Sequence, residues 1–219
     1  MITDNKKVIG LIHALEESEE PIINSFTKIW PNVVLRQYAD FKLSIDRARG
    51  MDESIIRQRI MDLGKRAIED GVDSILYTCS AFGGAINAAK EQFNLPVLRP
   101  NESAFNEAIM LGKTAHIFVT FAPSLELLVN EFKTMSKGSG LDVNGYLIKG
   151  ALDDLKNHKV DAHNLKILEA VSNIHKSDTV ILGQFSMARA SDIITKEFPA
   201  QNVINTPDSS VHNLRRILS

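Results

Sequence analysis

Short, nearly continuous apolar runs alternate along this chain with segments of helical period, and no other feature constrains its fold as strongly. The runs Val8–Ile12, Val33–Arg36, Ser74–Thr78, Pro96–Arg99, His116–Phe121, Val143–Ile148, Thr179–Leu182 and Asn202–Ile204 read as strands. Several are apolar at almost every position, as strands covered on both faces must be. Between them, Ile56, Ile60, Leu63 and Ala67 form one helical stripe, with Asp52 as N-cap and Gly71 as stop. Pro123 opens a second helix carrying Leu125, Leu128, Val129 and Phe132, and Leu165, Leu168, Val171 and Ile174 mark a third. Strands alternating with helices predict an α/β architecture built on parallel sheet.

The two halves echo one another. The segment ILYTCSAFGGAINAAKEQFNLPVLRPNES runs strand, polar turn, helix, strand, proline, and VILGQFSMARASDIITKEFPAQNVINTPDSS does the same. Two registers fit the echo. The strand pattern pairs Cys79 with Gln184, whereas the Lys90-Glu91 and Lys196-Glu197 echo pairs Ser80 with Ser186. Pro100-Asn101-Glu102 likewise echoes Pro207-Asp208-Ser209. Two apposed α/β lobes are expected, since no Pro/Gly/Ser-rich linker parts the halves.

Composition narrows the function. With 44% hydrophobic residues, 24% charged and 219 in all, a packed core is expected. A net charge of −2 lacks the basic footprint of a nucleic-acid binder. The uncharged stretch Ser74–Ala89 is too short and polar to span a bilayer, and the N-terminal apolar run reads as a strand rather than an export signal. A cytoplasmic protein is the expectation. The single cysteine excludes an internal disulfide and a cysteine-rich zinc site. His158 and His163 flank Asp161 without zinc spacing and read as a solvated loop; no metal and no cofactor is expected.

Ligands of open parallel sheets gather at the carboxyl ends of the strands. Here those ends carry His13, then Thr78, Cys79, Ser80 and Ala81, then Asn101, Thr120, Gln184, Phe185 and Ser186. Cys79 stands where a strand passes through a turn into a helix, so backbone N–H groups and the dipole should lower its pKa and favour the thiolate. The alternative is a buried thiol acting as a small hydrophobe; the flanking Thr78 and Ser80 favour chemistry. His13 fits a general acid or base, or a structural hydrogen-bonding residue. Gln184 can donate and accept hydrogen bonds but cannot titrate.

The motifs ILYTCSAFG, VLRPNES, VTFAP and VILGQFSMA, with GLIHA at the start and LSID at Leu43–Asp46, resemble the aspartate/glutamate racemase superfamily across essentially the whole chain. The resemblance implies two pseudo-symmetric lobes with the active site in the cleft between them. It implies a first lobe of residues 1–100 plus 207–219, carrying Cys79, and a second of residues 101–206, carrying Gln184. It further implies cofactor-independent proton transfer by two cysteines on opposite faces of a small carboxylate substrate, and it admits a homodimer. Cys79 matches the first of those cysteines, with Thr78, Ser80 and Ala81 around it. Asn101 matches a cleft residue and Thr120 a substrate-contacting threonine. Gln184 falls where the second cysteine belongs. Inversion needs a titratable group on each face, so a racemase-like isomerase, a single-cysteine decarboxylase or cis–trans isomerase, and a degenerate small-acid-binding protein all remain open.

Overall fold

The computed structural model describes residues 6–219. The first half runs β1 (Val8–His13), α1 (Glu19–Ile29), β2 (Val34–Ala39), α2 (Lys42–Ala48), α3 (Glu53–Glu69), β3 (Ser74–Tyr77), α4 (Gly83–Gln92), β4 (Val97–Leu98) and α5 (Glu102–Leu111). The second runs β5 (Ala115–Val119), α6 (Ala122–Met135), β6 (Val143–Leu147), α7 (Ala151–Lys156), α8 (Val160–Val171), β7 (Thr179–Leu182), α9 (Ser191–Glu197), β8 (Asn202–Asn205) and α10 (Thr206–Leu218). Each half builds a four-stranded, wholly parallel sheet, ordered β2-β1-β3-β4 and β6-β5-β7-β8. The molecule is therefore a two-lobed α/β protein whose sheets share one topology.

Every apolar run of the sequence becomes a strand; most ends shift by a residue, β5 stops at Val119 short of Thr120 and Phe121, and two further changes have a visible cause. β2 reaches Ala39, because β1 continues to pair with it as far as His13. β4 shrinks to two residues, since its partner β3 pairs only through Ile75 and Leu76. Asp52 caps α3 by accepting the Ser54 N–H at 2.8 Å, as its position before the stripe predicts. One expectation fails: His163 is not in a solvated loop. It lies fully buried in α8, because it shares a helical face with Ile167 and Val171. His158 sits just before that helix with a left-handed φ of 58°.

Side-chain alternation along the strands fills two layers per lobe. In the first lobe, Ile75 and Tyr77 face α3 and α4 through Ile56, Ile60, Ala85 and Ala89. Ile9, Leu11, Leu76 and Leu98 face the other way, onto Ile22 and Phe26 of α1 and Val211 and Leu214 of α10. In the second lobe, Phe118, Val180 and Leu182 meet Ile167, Val171 and Ile194. Ala115, Ile117, Val119 and Ile181 meet Leu128 and Phe132 of α6 and Ala104, Phe105 and Ala108 of α5. The helix following each lobe's last strand thus crosses to cover the other lobe. The exchanged helices touch: Asn213 donates to Ser103 Oγ at 3.0 Å and Ser209 to Glu107 at 2.7 Å. Among the described residues no helix is long and apolar enough to cross a membrane.

Candidate active site

Strand pairing decides between the two registers of the repeat. Ile12 pairs with Tyr77, and Phe118 with Leu182. One residue on, Thr78 N–H donates to Ile12 O at 3.0 Å and Gly183 N–H to Phe118 O at 2.9 Å. Thr78 therefore matches Gly183, and Cys79 matches Gln184. Both precede a 3-10 turn with extended backbone, at φ −121° and ψ 123° for Cys79 and φ −136° and ψ 144° for Gln184. The register pairing Ser80 with Ser186 is ruled out, and Pro100 matches Thr206 rather than Pro207, because Leu98 pairs with Leu76 as Ile204 pairs with Ile181.

Cys79 is 7% exposed and lies among apolar side chains that include Phe121 of the second lobe. Burial pushes its thiol up to about 11, and the Ala81 N–H directed at it offsets only part of that. This reverses the expectation from helix-end electrostatics: the N–H donor is present, but desolvation outweighs it.

Around the thiol, the hydroxyls are committed in chains. Ser18 donates to Leu15 O at 2.6 Å and lies 3.0 Å from Thr78 Oγ1. Thr78 donates to Ile12 O at 3.2 Å and lies 2.9 Å from His13 Nδ1. With the Thr78 proton on Ile12 O, His13 donates from Nδ1 and keeps its Nε2 lone pair, which has no partner. Burial lowers His13 to about 4, so it is a neutral imidazole near pH 7. The Thr78 hydroxyl is spent inside the first lobe.

Gln184 is held differently. Its Oε1 accepts from Thr120 N–H at 2.5 Å, Thr120 Oγ1 at 2.9 Å and Phe121 N–H at 3.1 Å, at the start of α6. Three donors fix one amide oxygen, so the end left for a ligand is the NH2 group. Asn101 ties the same turn down, donating to Gly183 O at 2.8 Å while its own Oδ1 stays buried and unpartnered. Ser80 donates across the lobes to Ser124 at 3.0 Å. Phe185 is buried with Ile9 and Leu11 in the first lobe's core. Ser186 is buried with its hydroxyl unpartnered.

The sequence model of the Asp/Glu/Hydantoin racemase family matches residues 30–214. The chain belongs to that family. No curated protein sequence matches it significantly. Among solved structures it is similar to a glutamate racemase of Campylobacter jejuni subsp. jejuni, with a TM-score of 0.74 at 13% identity over 96% of this chain and 85% of that one. It is also similar to an aspartate racemase homologue of Pyrococcus horikoshii OT3, with a TM-score of 0.73 at 16% identity over 96% and 98%. A glycine-to-cysteine mutant of arylmalonate decarboxylase matches with a TM-score of 0.65 at 13% identity over 96% and 92%. At these identities the likeness is one of fold.

In this racemase-family chain, sequence reasoning missed Ser18, Ser124 and Glu131, of which Ser124 and Glu131 join the lobes by meeting Ser80 and Arg99. Ser18 and Ser124 occupy matching places, their own N–H groups donating to Leu15 O at 3.2 Å and Phe121 O at 3.0 Å. Arg99 and Glu131 meet where β4 ends against α6, with Arg99 Nη2 3.0 Å from Glu131 Oε1. Burial raises Glu131 to about 7, with Arg99 lowering it, Glu102 raising it and Lys90 lowering it. A signal was available: Glu131 falls three residues after Leu128 and one before Phe132, on the buried stripe of α6.

Proposed function

We propose that this chain is a cofactor-independent isomerase-type enzyme that shifts a proton along one face of a small carboxylate or carbonyl compound, from one end of an enolate system to the other, with Cys79 as its acid and base. One observation carries the reading. Gln184 occupies the position equivalent to Cys79, and three donors pin its oxygen, so an amide NH2 and no titratable side chain stands at the place that matches the thiol. An amide at that place holds a carbonyl or enolate oxygen by hydrogen bonding but neither takes nor delivers a proton at carbon.

The step is a single transfer. The Cys79 S–H bond breaks, its proton forms a C–H bond with the electron pair of the enolate, and the thiolate left behind is met by the Ala81 N–H. In the isomerising direction the thiolate first breaks a C–H bond at one carbon, and the resulting S–H delivers that proton to the other end of the enolate system on the same face; return to the same carbon gives exchange only. His13, neutral and hydrogen-bonded to Thr78, orients the strand end beside the thiol.

A thiol raised to about 11 by burial is protonated at rest. That favours, as a second reading, protonation of the carbanion left when a substrate carboxylate departs as CO2. The fold likeness to arylmalonate decarboxylase is compatible with it.

Incubation of 2-substituted carboxylic acids with the protein in D2O tests both. Deuterium should enter at the α-carbon while optical purity is retained, or with CO2 release in the decarboxylating case, and Cys79→Ala should abolish either. Loss of optical purity at the rate of exchange would overturn one-face chemistry. Unchanged turnover in Cys79→Ala would sink the assignment, and tight binding of an acid with neither exchange nor CO2 would make the protein a binder.

A further inference from the structure

A groove of about 270 Å³ runs between α4 and α6 and reaches Ser80, the residue after Cys79 in the chain. Its mouth carries the exposed Asn87, Asn130 and Thr134, and its floor Arg99 and Glu131 beside Ser80. The two charged side chains are only 18% and 12% exposed. Arg99 donates to Asn87 Oδ1 at 3.2 Å and stands in ion pairs with Glu131 Oε1 at 3.0 Å and Glu102 Oε2 at 3.5 Å, though neither its Nε nor Glu131 Oε1 completes a well-aligned hydrogen bond. Nearby Lys90 and Glu102 close on each other at 2.6 Å, and neither lines the groove. The groove therefore presents one partly buried Arg–Glu pair, with a donor and an acceptor still short of aligned partners, between neutral polar groups and the apolar Leu127 and Met135.

We propose that this groove is the specificity pocket for the substrate's far end, and that it takes an uncharged carboxamide in preference to a second carboxylate, with Arg99 facing the amide oxygen and Glu131 the amide NH2. This rests on the reading of the Cys79 site as one that takes a small carboxylate. A group with one acceptor and one donor complements an Arg–Glu pair; a carboxylate would satisfy Arg99 but set a second negative charge against Glu131 in a site of low polarity. The same argument disfavours a bare ammonium, which would face Arg99. Ser80 lines the groove and directly follows Cys79 in the chain, so the proposal places the substrate's amide end in the groove and its acid end toward the thiol.

Succinamate and succinate form a matched pair, differing only in NH2 against O⁻ at one end. Calorimetric titration of the full chain at pH 8, where the Glu131 carboxyl is ionised, should give a Kd for succinamate about tenfold below that for succinate. In Glu131→Gln, which removes the charge and keeps the shape, the preference should fall to within about twofold. Succinate binding as tightly as succinamate to the unaltered protein would overturn the proposal, as would absence of binding by both at millimolar concentration. A preference unchanged in Glu131→Gln would remove Glu131 from it. Cys79→Ser should keep the preference. If it does while no acid exchanges deuterium in the unaltered protein, the pocket stands and the proton-transfer reading fails; if exchange is found without the preference, the reverse holds.

Discussion

At Cys79 two forces act on one thiol in opposite senses. The Ala81 N–H stabilises the thiolate, but enclosure in the first lobe's apolar cluster removes the water that would solvate it, and burial prevails. Iodoacetamide should therefore modify the folded protein slowly at pH 7, with a rate that rises toward a midpoint near 11. A midpoint below 8 in a stopped-flow alkylation series would contradict the burial argument. The dipole half of this balance was legible in the sequence, because a strand-turn-helix with a central cysteine is local. The burial half was not, because the cluster that encloses the thiol includes residues far along the chain, Phe121 among them. His13 gives a second prediction. Burial lowers it from 6.5 to about 4, so between those values the unfolded chain binds a proton that the folded one does not. Stability is whole above pH 6.5 and falls as pH drops toward 4, by at most about 3 kcal/mol. In His13→Gln, urea unfolding across this range should lose that part of the slope; an unaltered slope would show that His13 is not the group responsible.

The elements were read from the sequence more completely than the contacts between them. A strand covered on both faces announces itself by its apolar run, so all eight appeared in their places, and Asp52 and Pro123 marked helix starts for local reasons. Relative register is a different matter. The Lys-Glu echo of the two halves misleads by one residue because those side chains are solvated and nothing holds them in step, whereas the hydrogen bonds onto Ile12 O and Phe118 O fix Thr78 opposite Gly183. That equivalence makes Gly183 testable. A Cβ at Gly183 would stand 2.8 Å from the Phe118 carbonyl oxygen, which is backbone of a central strand and cannot step aside. Gly183→Ala should cost about 1–3 kcal/mol in urea unfolding. A change within about 0.5 kcal/mol would mean that the strand end yields, and that Gln184 is less firmly placed than its three hydrogen bonds indicate.

On the scale of the molecule, the exchange of helices decides how the lobes behave. Helical periodicity reveals that α5 and α10 each have an apolar face, but not which sheet that face covers, since both sheets present the same kind of surface. In the fold α5 lays Ala104, Phe105 and Ala108 on the second sheet although it follows a strand of the first, and α10 lays Val211 and Leu214 on the first although it follows a strand of the second. Phe185 adds a third crossing, leaving the turn after Gln184 for the first lobe's core. Opening the lobes as independent bodies would strip each sheet of one helix and bare Ile9, Leu11, Ile117 and Ile181, a loss of apolar burial that neither lobe can repair alone. The chain should accordingly unfold in one cooperative transition despite its two sheets. Scanning calorimetry should return a single peak with a calorimetric enthalpy equal to the van't Hoff enthalpy, and a chain ending at residue 205 should show no such peak. Two resolved transitions in the full chain, or a cooperative transition in the shortened one, would mean that the exchanged helices are attachments rather than the clasp that holds the two sheets together.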